Sequence, residues 1–215
     1  MFDGVSNFAN SVDGTFLFTL IVSIFFLLLI TITMLYFVYK YNRKRNPKAV
    51  NVHSNTALEV TWTVIPTILV LIMFWFGWVS YLEESDIPDN AMPVDVTAQM
   101  WKWSFKYENG KQSDSLYVPV NTPIKLNLHS NDVNHAFFVP AFRLKKDVYP
   151  GLKRETWFQA DKVGRYHIAC AEYCGLNHSY MANTVIVMPK EKFNEWIADT
   201  TSVTDTTLLN QQNNN

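Results

Sequence analysis

The chain has 215 residues, a formal net charge of −1 and 17% charged residues. This length suits one folded domain with a smaller second part. The near-neutral charge gives no reason to expect a nucleic acid as a partner, because proteins that bind nucleic acids present a basic surface. Residues 1–82 are strongly apolar and the remainder is mixed, so the composition predicts two regions of different character.

Two long uncharged runs predict a transmembrane hairpin within residues 1–82. Residues 16–39 and 60–82 contain no Asp, Glu, Lys or Arg. A helix of 24 residues measures about 36 Å, enough for the roughly 30 Å hydrocarbon core of a bilayer. The second run contains a proline and a glycine, which membrane helices tolerate. Buried helices of a soluble core and a secretory signal peptide are the alternatives, and both fit runs of this length poorly.

The loop between the two runs predicts the orientation of the chain in the membrane. The outer flanks carry only acids. The loop carries five bases: Lys40, Arg43, Lys44, Arg45 and Lys48. The positive-inside rule places this loop in the cytoplasm or its organellar equivalent, so the chain after residue 82 lies outside. We therefore expect a bacterial plasma membrane with the second region in the periplasm or outside, or alternatively a mitochondrial inner membrane.

From residue 83 the pattern changes to short, often alternating segments that are typical of β-strands. The strand candidates are residues 92–98, 101–107, 123–130, 155–160, 165–170 and 184–189. Many short strands separated by turn sequences predict a β-sandwich or barrel over residues 83–200. Residues 190–199 predict a short helix with Phe193, Trp196 and Ile197 on one side. Residues 201–215 have no such pattern and predict a disordered tail.

The sequence CAEYCGLNHSYM at residues 170–181 contains the only two cysteines of the chain. Cys170 and Cys174 offer thiolates, His178 an imidazole and Met181 a thioether. Sulfur with imidazole selects copper or zinc, and the thioether favours copper, for which methionine is a recurrent weak ligand. Two thiolates can bridge two copper ions, and each ion then needs one imidazole and one weaker ligand.

A second histidine must therefore come from elsewhere in the β region. His53 lies on the other side of the membrane, and His129 faces the wrong way unless its strand bends. His135 precedes an apolar strand, where a loop residue is well placed to be a ligand. Chemistry alone ranks His135 first and His167 second. A disulfide between the two cysteines, a zinc site, and a core methionine beside a surface histidine are the alternatives.

These motifs resemble subunit II of the haem–copper cytochrome c oxidases. The pattern C-x-E-x-C-x-x-x-H-x-x-M occurs complete at residues 170–181, and D-V-x-H followed by F-x-V-P occurs at residues 132–140. The resemblance covers about residues 15–200. It implies a membrane-anchored all-β protein, with a two-helix transmembrane hairpin followed by a cupredoxin-like Greek-key β-barrel.

The resemblance also implies the ligands of a dinuclear copper A centre. The side chains that would bind copper are those of His135, Cys170, Cys174, His178 and Met181. Glu172 would contribute its backbone carbonyl to copper. Its carboxylate would face the catalytic subunit, where the family holds a magnesium ion.

The resemblance also implies roles for two further residues. Trp101 would be the point at which electrons from a cytochrome c-type donor reach the chain. Alternation alone would instead explain Trp101 as one of several aromatic residues on a buried sheet face. Glu59 would lie at the mouth of a proton pathway into the catalytic subunit, and the alternative is an ordinary carboxylate at the membrane surface.

The function implied is electron transfer within an oxygen-reducing oxidase embedded in the lipid bilayer. A cytochrome c-type donor would reduce the copper pair, which would pass the electron to haem in catalytic subunit I. The chain itself would not reduce oxygen. The main alternative is the copper A subunit of a related nitric oxide reductase. A quinol oxidase subunit lacking copper would have lost the cysteines, and a single-copper electron carrier would need only one of them.

Overall fold

The computed structural model describes residues 4–48, 50–51 and 53–199. The tail that we predicted for residues 201–215 lies outside these ranges. The chain divides into two compact units. One comprises the chain up to Asn10 together with the chain from Leu82 onward, and the other comprises Ser11–Tyr81.

Two long helices form the second unit and confirm the predicted pair of apolar spans. Helix α1 covers Ala9–Lys40 and helix α2 covers Thr56–Ser85. Both are long and apolar enough to cross a membrane, and 0% of the most apolar window of either is buried within the protein. The hydroxyls of Ser11 and Ser80 lie 2.9 Å apart, and the rings of Phe18 and Phe76 are 5.4 Å apart. The helices therefore lie antiparallel, side by side.

The first unit is a sandwich of two five-stranded sheets followed by a short helix. One sheet has the order β3–β2–β1–β5–β8 and the other β4–β10–β9–β6–β7. Strands β1/β5 and β4/β10 pair in parallel, and the other neighbours are antiparallel. The elements are β1 (Met92–Gln99), β2 (Lys102–Tyr107), β3 (Gln112–Ser113), β4 (Leu116–Pro119), β5 (Pro123–Ser130), β6 (His135–Val139), β7 (Leu144–Val148), β8 (Arg154–Gln159), β9 (Gly164–Cys170), β10 (Ala182–Met188) and α3 (Lys190–Ala198).

The predicted alternation places the aromatic residues of β2 in the core. Trp103, Phe105 and Tyr107 are buried, while Lys102 and Lys106 between them are exposed. Strands β1 and β2 pair so that Val96 lies opposite Phe105, which brings the apolar sides of both strands to the same face. The six strand candidates and the terminal helix are confirmed.

The sequence did not predict the two-residue strand β3, nor strands β4 and β7, which lack alternation. All four residues of β4 are buried, so its sequence LYVP shows no polar–apolar period. Strand β7, LKKDV, buries only Leu144 and Val148 at its ends. Periodicity cannot identify strands this short when neither face alternates.

Residues 5–9, which we call the N-terminal strap, pack against the β-sandwich. Val5, Phe8 and Ala9 are buried, and the ring of Phe8 meets that of Trp157 edge-on at 5.0 Å. The strap also pairs by backbone hydrogen bonds, including one from Val5 N–H to the carbonyl of Ala141 at 3.1 Å. The sequence assigned residues 1–82 to the hairpin, whereas the structure groups this first segment with the β-domain. Its apolar residues are too few and too irregularly spaced to form a recognisable pattern.

Candidate metal centre

The two cysteine sulfurs lie at the end of strand β9 and in the loop that follows it. Strand β9 ends at Cys170, and its neighbour β6 begins at His135. Phe137 of β6 is paired with Cys170, so the antiparallel register brings His135 to the same end of the sheet. His135 Nδ1 is 3.8 Å from Cys170 Sγ, and the two cysteine sulfurs are 3.8 Å apart.

The loop from residue 171 to residue 181 folds its other donor groups around these sulfurs. His178 begins a single 3-10 turn, which places His178 Nδ1 3.5 Å from Cys174 Sγ. Met181 Sδ lies 3.7 Å from the same sulfur. The Cys170 thiol donates a hydrogen bond to the Glu172 carbonyl at 3.2 Å. All six donors implied by the resemblance are therefore neighbours in space.

The sulfur cluster is largely shielded from water. His135 is 0% exposed, and both cysteines and Met181 are also buried. Both cysteines are free thiols, since their sulfurs are 3.8 Å apart rather than the roughly 2.05 Å of a disulfide. Burial, together with the adjacent Cys170, raises the pKa of Cys174 to about 12. Binding of a metal must therefore displace protons from this site.

Asp132 fixes the orientation of His135. Its carboxylate accepts a hydrogen bond from His135 Nε2 at 2.8 Å and others from the backbone N–H groups of Met100 and Val133 at 2.6 and 2.7 Å. Burial alone would raise the pKa of Asp132, but these hydrogen bonds lower it. With Nε2–H held in this way, Nδ1 is left as an acceptor that points to the sulfurs. The sequence contained Asp132 in a motif but did not indicate this role.

Trp101 directly contacts the loop of residues 171–181, the candidate metal-binding loop. It is half-buried, and its indole N–H donates to the carbonyl of Cys174 at 3.2 Å. The indole also lies against Gly175, where an added Cβ would meet it at 3.4 Å. Gly175 has φ +115°, a conformation that favours glycine. The structure thus connects Trp101 to a sulfur-bearing residue by one hydrogen bond.

Two other residues considered in the sequence are not among the donors described above. His167 is an exposed residue of β9, opposite Thr184. Glu59 lies in the first turn of α2, where its backbone N–H donates to the carbonyl of Asn55 at 3.0 Å. Glu59 belongs to the helical unit and His167 to the β unit.

Lys145 of β7 is a neighbour of the site that the sequence did not reveal. Its ammonium lies 2.8 Å from Glu172 Oε1 and 3.3 Å from Asp147 Oδ1. Lys145 and Glu172 are 27 residues apart, so no local pattern could have paired them.

Comparison with known proteins identifies the family. A family model described as the transmembrane domain of cytochrome c oxidase subunit II matches residues 1–77, and one described as its periplasmic domain matches residues 110–188. The chain belongs to the cytochrome c oxidase subunit II family. This family carries a copper A centre, and the clustered ligand atoms of His135, Cys170 and Cys174, all within 4.8 Å of one another, suit such a centre.

Curated members of the subunit II family align with most of the chain. Cytochrome c oxidase subunit 2 of Alkalihalophilus pseudofirmus is 35% identical over 168 residues, covering 74% of this chain and 49% of that protein. The same subunit of Cereibacter sphaeroides is 26% identical over 220 residues, covering 84% of this chain and 73% of that protein. The chain therefore spans about half the length of the first of these relatives.

A solved structure supports the fold of the β-domain. The crystal structure of the periplasmic domain of subunit II (CoxB) of Bradyrhizobium japonicum is 30% identical, with a TM-score of 0.50. The match covers 52% of this chain and 94% of that one. The predicted fold class, two apolar helices followed by a cupredoxin-like domain, is confirmed.

Proposed function

We propose that this chain relays electrons from a cytochrome c-type donor to haem in the catalytic subunit of an oxygen-reducing oxidase. The observation that carries the proposal is the gathering of five side chains and one carbonyl around two buried, free cysteine sulfurs. When bound, a pair of copper ions would supply a one-electron redox centre. The residues that would hold it are His135, Cys170, Glu172 (through its carbonyl), Cys174, His178 and Met181.

The donor set fits copper better than the other common metals. Magnesium and calcium prefer oxygen ligands. Two thiolates and two imidazoles also suit zinc, but the thioether of Met181 favours copper. Strands β6 and β9 hold His135 and Cys170 in a hydrogen-bonded sheet, which limits how far these ligands can move when the charge of the centre changes. Small ligand movements favour rapid electron transfer.

Trp101 is the residue that we propose accepts electrons from the donor. Its indole reaches from the half-exposed surface to the carbonyl of Cys174, so a donor docked over it would be separated from the sulfurs by one side chain. Around it the loop exposes Tyr173, Leu176 and Tyr180 by 79–86%. Exposed apolar side chains in such numbers are typical of a surface that other proteins cover.

The helical unit supports a location in a membrane. We propose that α1 and α2 anchor the chain in a bacterial plasma membrane, with the β-domain in the periplasm. The basis is the exposed apolar surface of both helices and the five bases between them. Glu59 begins the second span next to this basic loop, and we retain it as a candidate for the entrance of a proton pathway in the partner subunit.

The magnesium ion implied by the resemblance does not fit this chain equally well. Its expected ligand, the Glu172 carboxylate, already pairs with the ammonium of Lys145. A divalent cation at Glu172 would first have to displace that ammonium.

Transfer of electrons to the copper-loaded chain tests the proposal. The full chain in detergent is mixed with reduced cytochrome c, and the oxidation of the cytochrome is followed by stopped-flow absorbance. We expect oxidation to be coupled to bleaching of the copper absorbance. Trp101→Phe should slow it, and Trp75→Phe, which changes an exposed tryptophan of α2, should not. Copper-loaded protein that leaves the cytochrome reduced would refute the relay.

A further inference from the structure

One ammonium lies between two carboxylates beside the sulfur cluster. Lys145 Nζ is 2.8 Å from Glu172 Oε1 and 3.3 Å from Asp147 Oδ1. Asp147 also accepts a hydrogen bond from the Tyr149 hydroxyl at 3.1 Å. The acids come from a strand and from the metal-binding loop, so Lys145 ties the loop to the sheet.

We infer that Lys145 is the resident cation of Glu172 and positions its backbone carbonyl at the metal centre. The ammonium pairs with the carboxylate that the family resemblance assigns to a magnesium ion. The positioning of the carbonyl rests on the proposed copper function, because the carbonyl matters only if copper binds there.

The backbone around Lys145 makes it a suitable anchor. Lys145 of β7 pairs with Phe138 of β6, and Phe138 pairs in turn with Ala169 of β9. Lys145 therefore stands on the sheet that carries His135 and Cys170. Glu172 stands on the loop, which lacks such pairing at this residue. An ion pair between the two fixes the loop relative to the sheet.

The Glu172 carbonyl is the group that this ion pair controls. It lies 3.2 Å from Cys170 Sγ, so any rotation of residue 172 moves a donor atom at the centre. If copper binds at this carbonyl, movement of the carbonyl would change the surroundings of the ion that it contacts. Loss of the ion pair should therefore make the two metal positions less alike.

The effect of Lys145 on folding stability can be separated from its effect on the Glu172 carbonyl, because the Lys145–Glu172 pair is largely solvent-exposed. Exposed ion pairs contribute about 0–1 kcal/mol to folding. Removing Lys145 should thus leave the domain folded while changing the properties of bound copper. If Lys145 had only a structural role, Lys145→Met would destabilise the domain and leave the properties of bound copper unchanged.

The test uses the full chain in detergent, loaded with copper, and compares Lys145→Met with Lys145→Arg. Lys125→Met is the matched control, because Lys125 pairs with Glu155 at a similar 2.8 Å on the other sheet. The readouts are the midpoint potential and the electron paramagnetic resonance splitting. We expect Lys145→Met to lower the potential, since loss of a positive charge favours the oxidised centre, and to make electron sharing unequal. Lys145→Arg should restore both properties, and Lys125→Met should change neither.

Two results would overturn the inference, and both differ from failure of the proposed function. If the wild-type chain shows its shared-electron signal and Lys145→Met is identical to it, Lys145 does not position the carbonyl. Metal-free chain can also be titrated with Mn²⁺ as a probe for a divalent cation. We expect no Mn²⁺ site that Glu172→Gln removes, and such a site would show that Lys145 is not the resident cation. Failure of the proposed function would appear instead as wild-type protein without the copper signal.

Discussion

The helical unit and the β-domain are both rich in apolar residues, but they use them in opposite ways. Among the described residues of α2 none is buried, and α1 buries only Ala9. The largest fully buried side chains all lie between residues 103 and 181, in the β-domain. The β-domain excludes water by itself, whereas the helices need lipid or another protein to cover them. The proposed metal ligands all belong to the unit that supplies its own dry and rigid surroundings.

The largest effect is expected from removing a sulfur at the centre. Cys170→Ser should abolish the signal of an electron shared between two copper ions, because a serine hydroxyl cannot replace a bridging thiolate. The strands should remain, as judged by far-ultraviolet circular dichroism. His167→Gln, which changes an exposed histidine of the same strand, should leave the signal unchanged. Survival of the shared-electron spectrum in Cys170→Ser would mean that the ligands are wrongly assigned.

The next largest effect is expected from removing a phenylalanine ring of the β-domain, compared with removing one of the helical unit. Phe8→Ala should destabilise the β-domain by about 3 kcal/mol, because Phe8 is 5% exposed and packs on Trp157. Phe16→Ala, at a residue 46% exposed in the helical unit, should leave the unfolding of the β-domain unchanged. Chemical denaturation in detergent, followed by tryptophan fluorescence, measures both. Equal effects would show that the N-terminal strap is not part of the β-domain.

A smaller effect is expected from loosening His135 without removing it. Asp132→Asn replaces the carboxylate that holds His135 Nε2 at 2.8 Å. Loss of such a supporting group typically lowers metal affinity by about 10–100-fold. Competition with a copper chelator measures the change. Asp95→Asn, whose side chain contacts Asn127 on the surface, is the control and should retain full affinity. Unchanged affinity in Asp132→Asn would leave Asp132 with a structural role only.

The smallest effect is expected at an exposed ion pair remote from the sulfurs. Lys125→Met breaks the contact with Glu155 and should change the free energy of unfolding by less than about 1 kcal/mol. Denaturant midpoints of Lys125→Met, measured beside those of Phe8→Ala, give the smallest expected change in stability. A larger loss would indicate that surface charges, rather than the apolar core, stabilise the sandwich.

Periodicity predicted the elements whose two faces differ. Strands β1, β2 and β5 alternate, and the two spans are long and uncharged, so their identity follows from local sequence. Strand β4 is buried on both faces, and the N-terminal strap is stabilised by contacts more than 130 residues away, such as Ser6 with Phe142. The local sequence therefore predicts neither strand β4 nor the packing of the N-terminal strap.

The candidate site also contains some residues that the sequence could predict and some contacts that it could not. Cys170, Cys174, His178 and Met181 are close in sequence, and their chemistry alone indicated copper. Chemistry ranked His135 above His167, and the family resemblance settled that choice. The contacts of Trp101 with Cys174 and of Lys145 with Glu172 join residues 73 and 27 positions apart. Only the fold brings such pairs together, which is why these two contacts emerged from the structure.

The most direct test of the central claim is the copper content and resonance spectrum of the whole chain, with its N-terminal strap present. The account predicts two copper ions bound per chain. It also predicts that the oxidised centre shows splitting from one electron shared by both nuclei. One ion per chain, with splitting from a single nucleus, would contradict it.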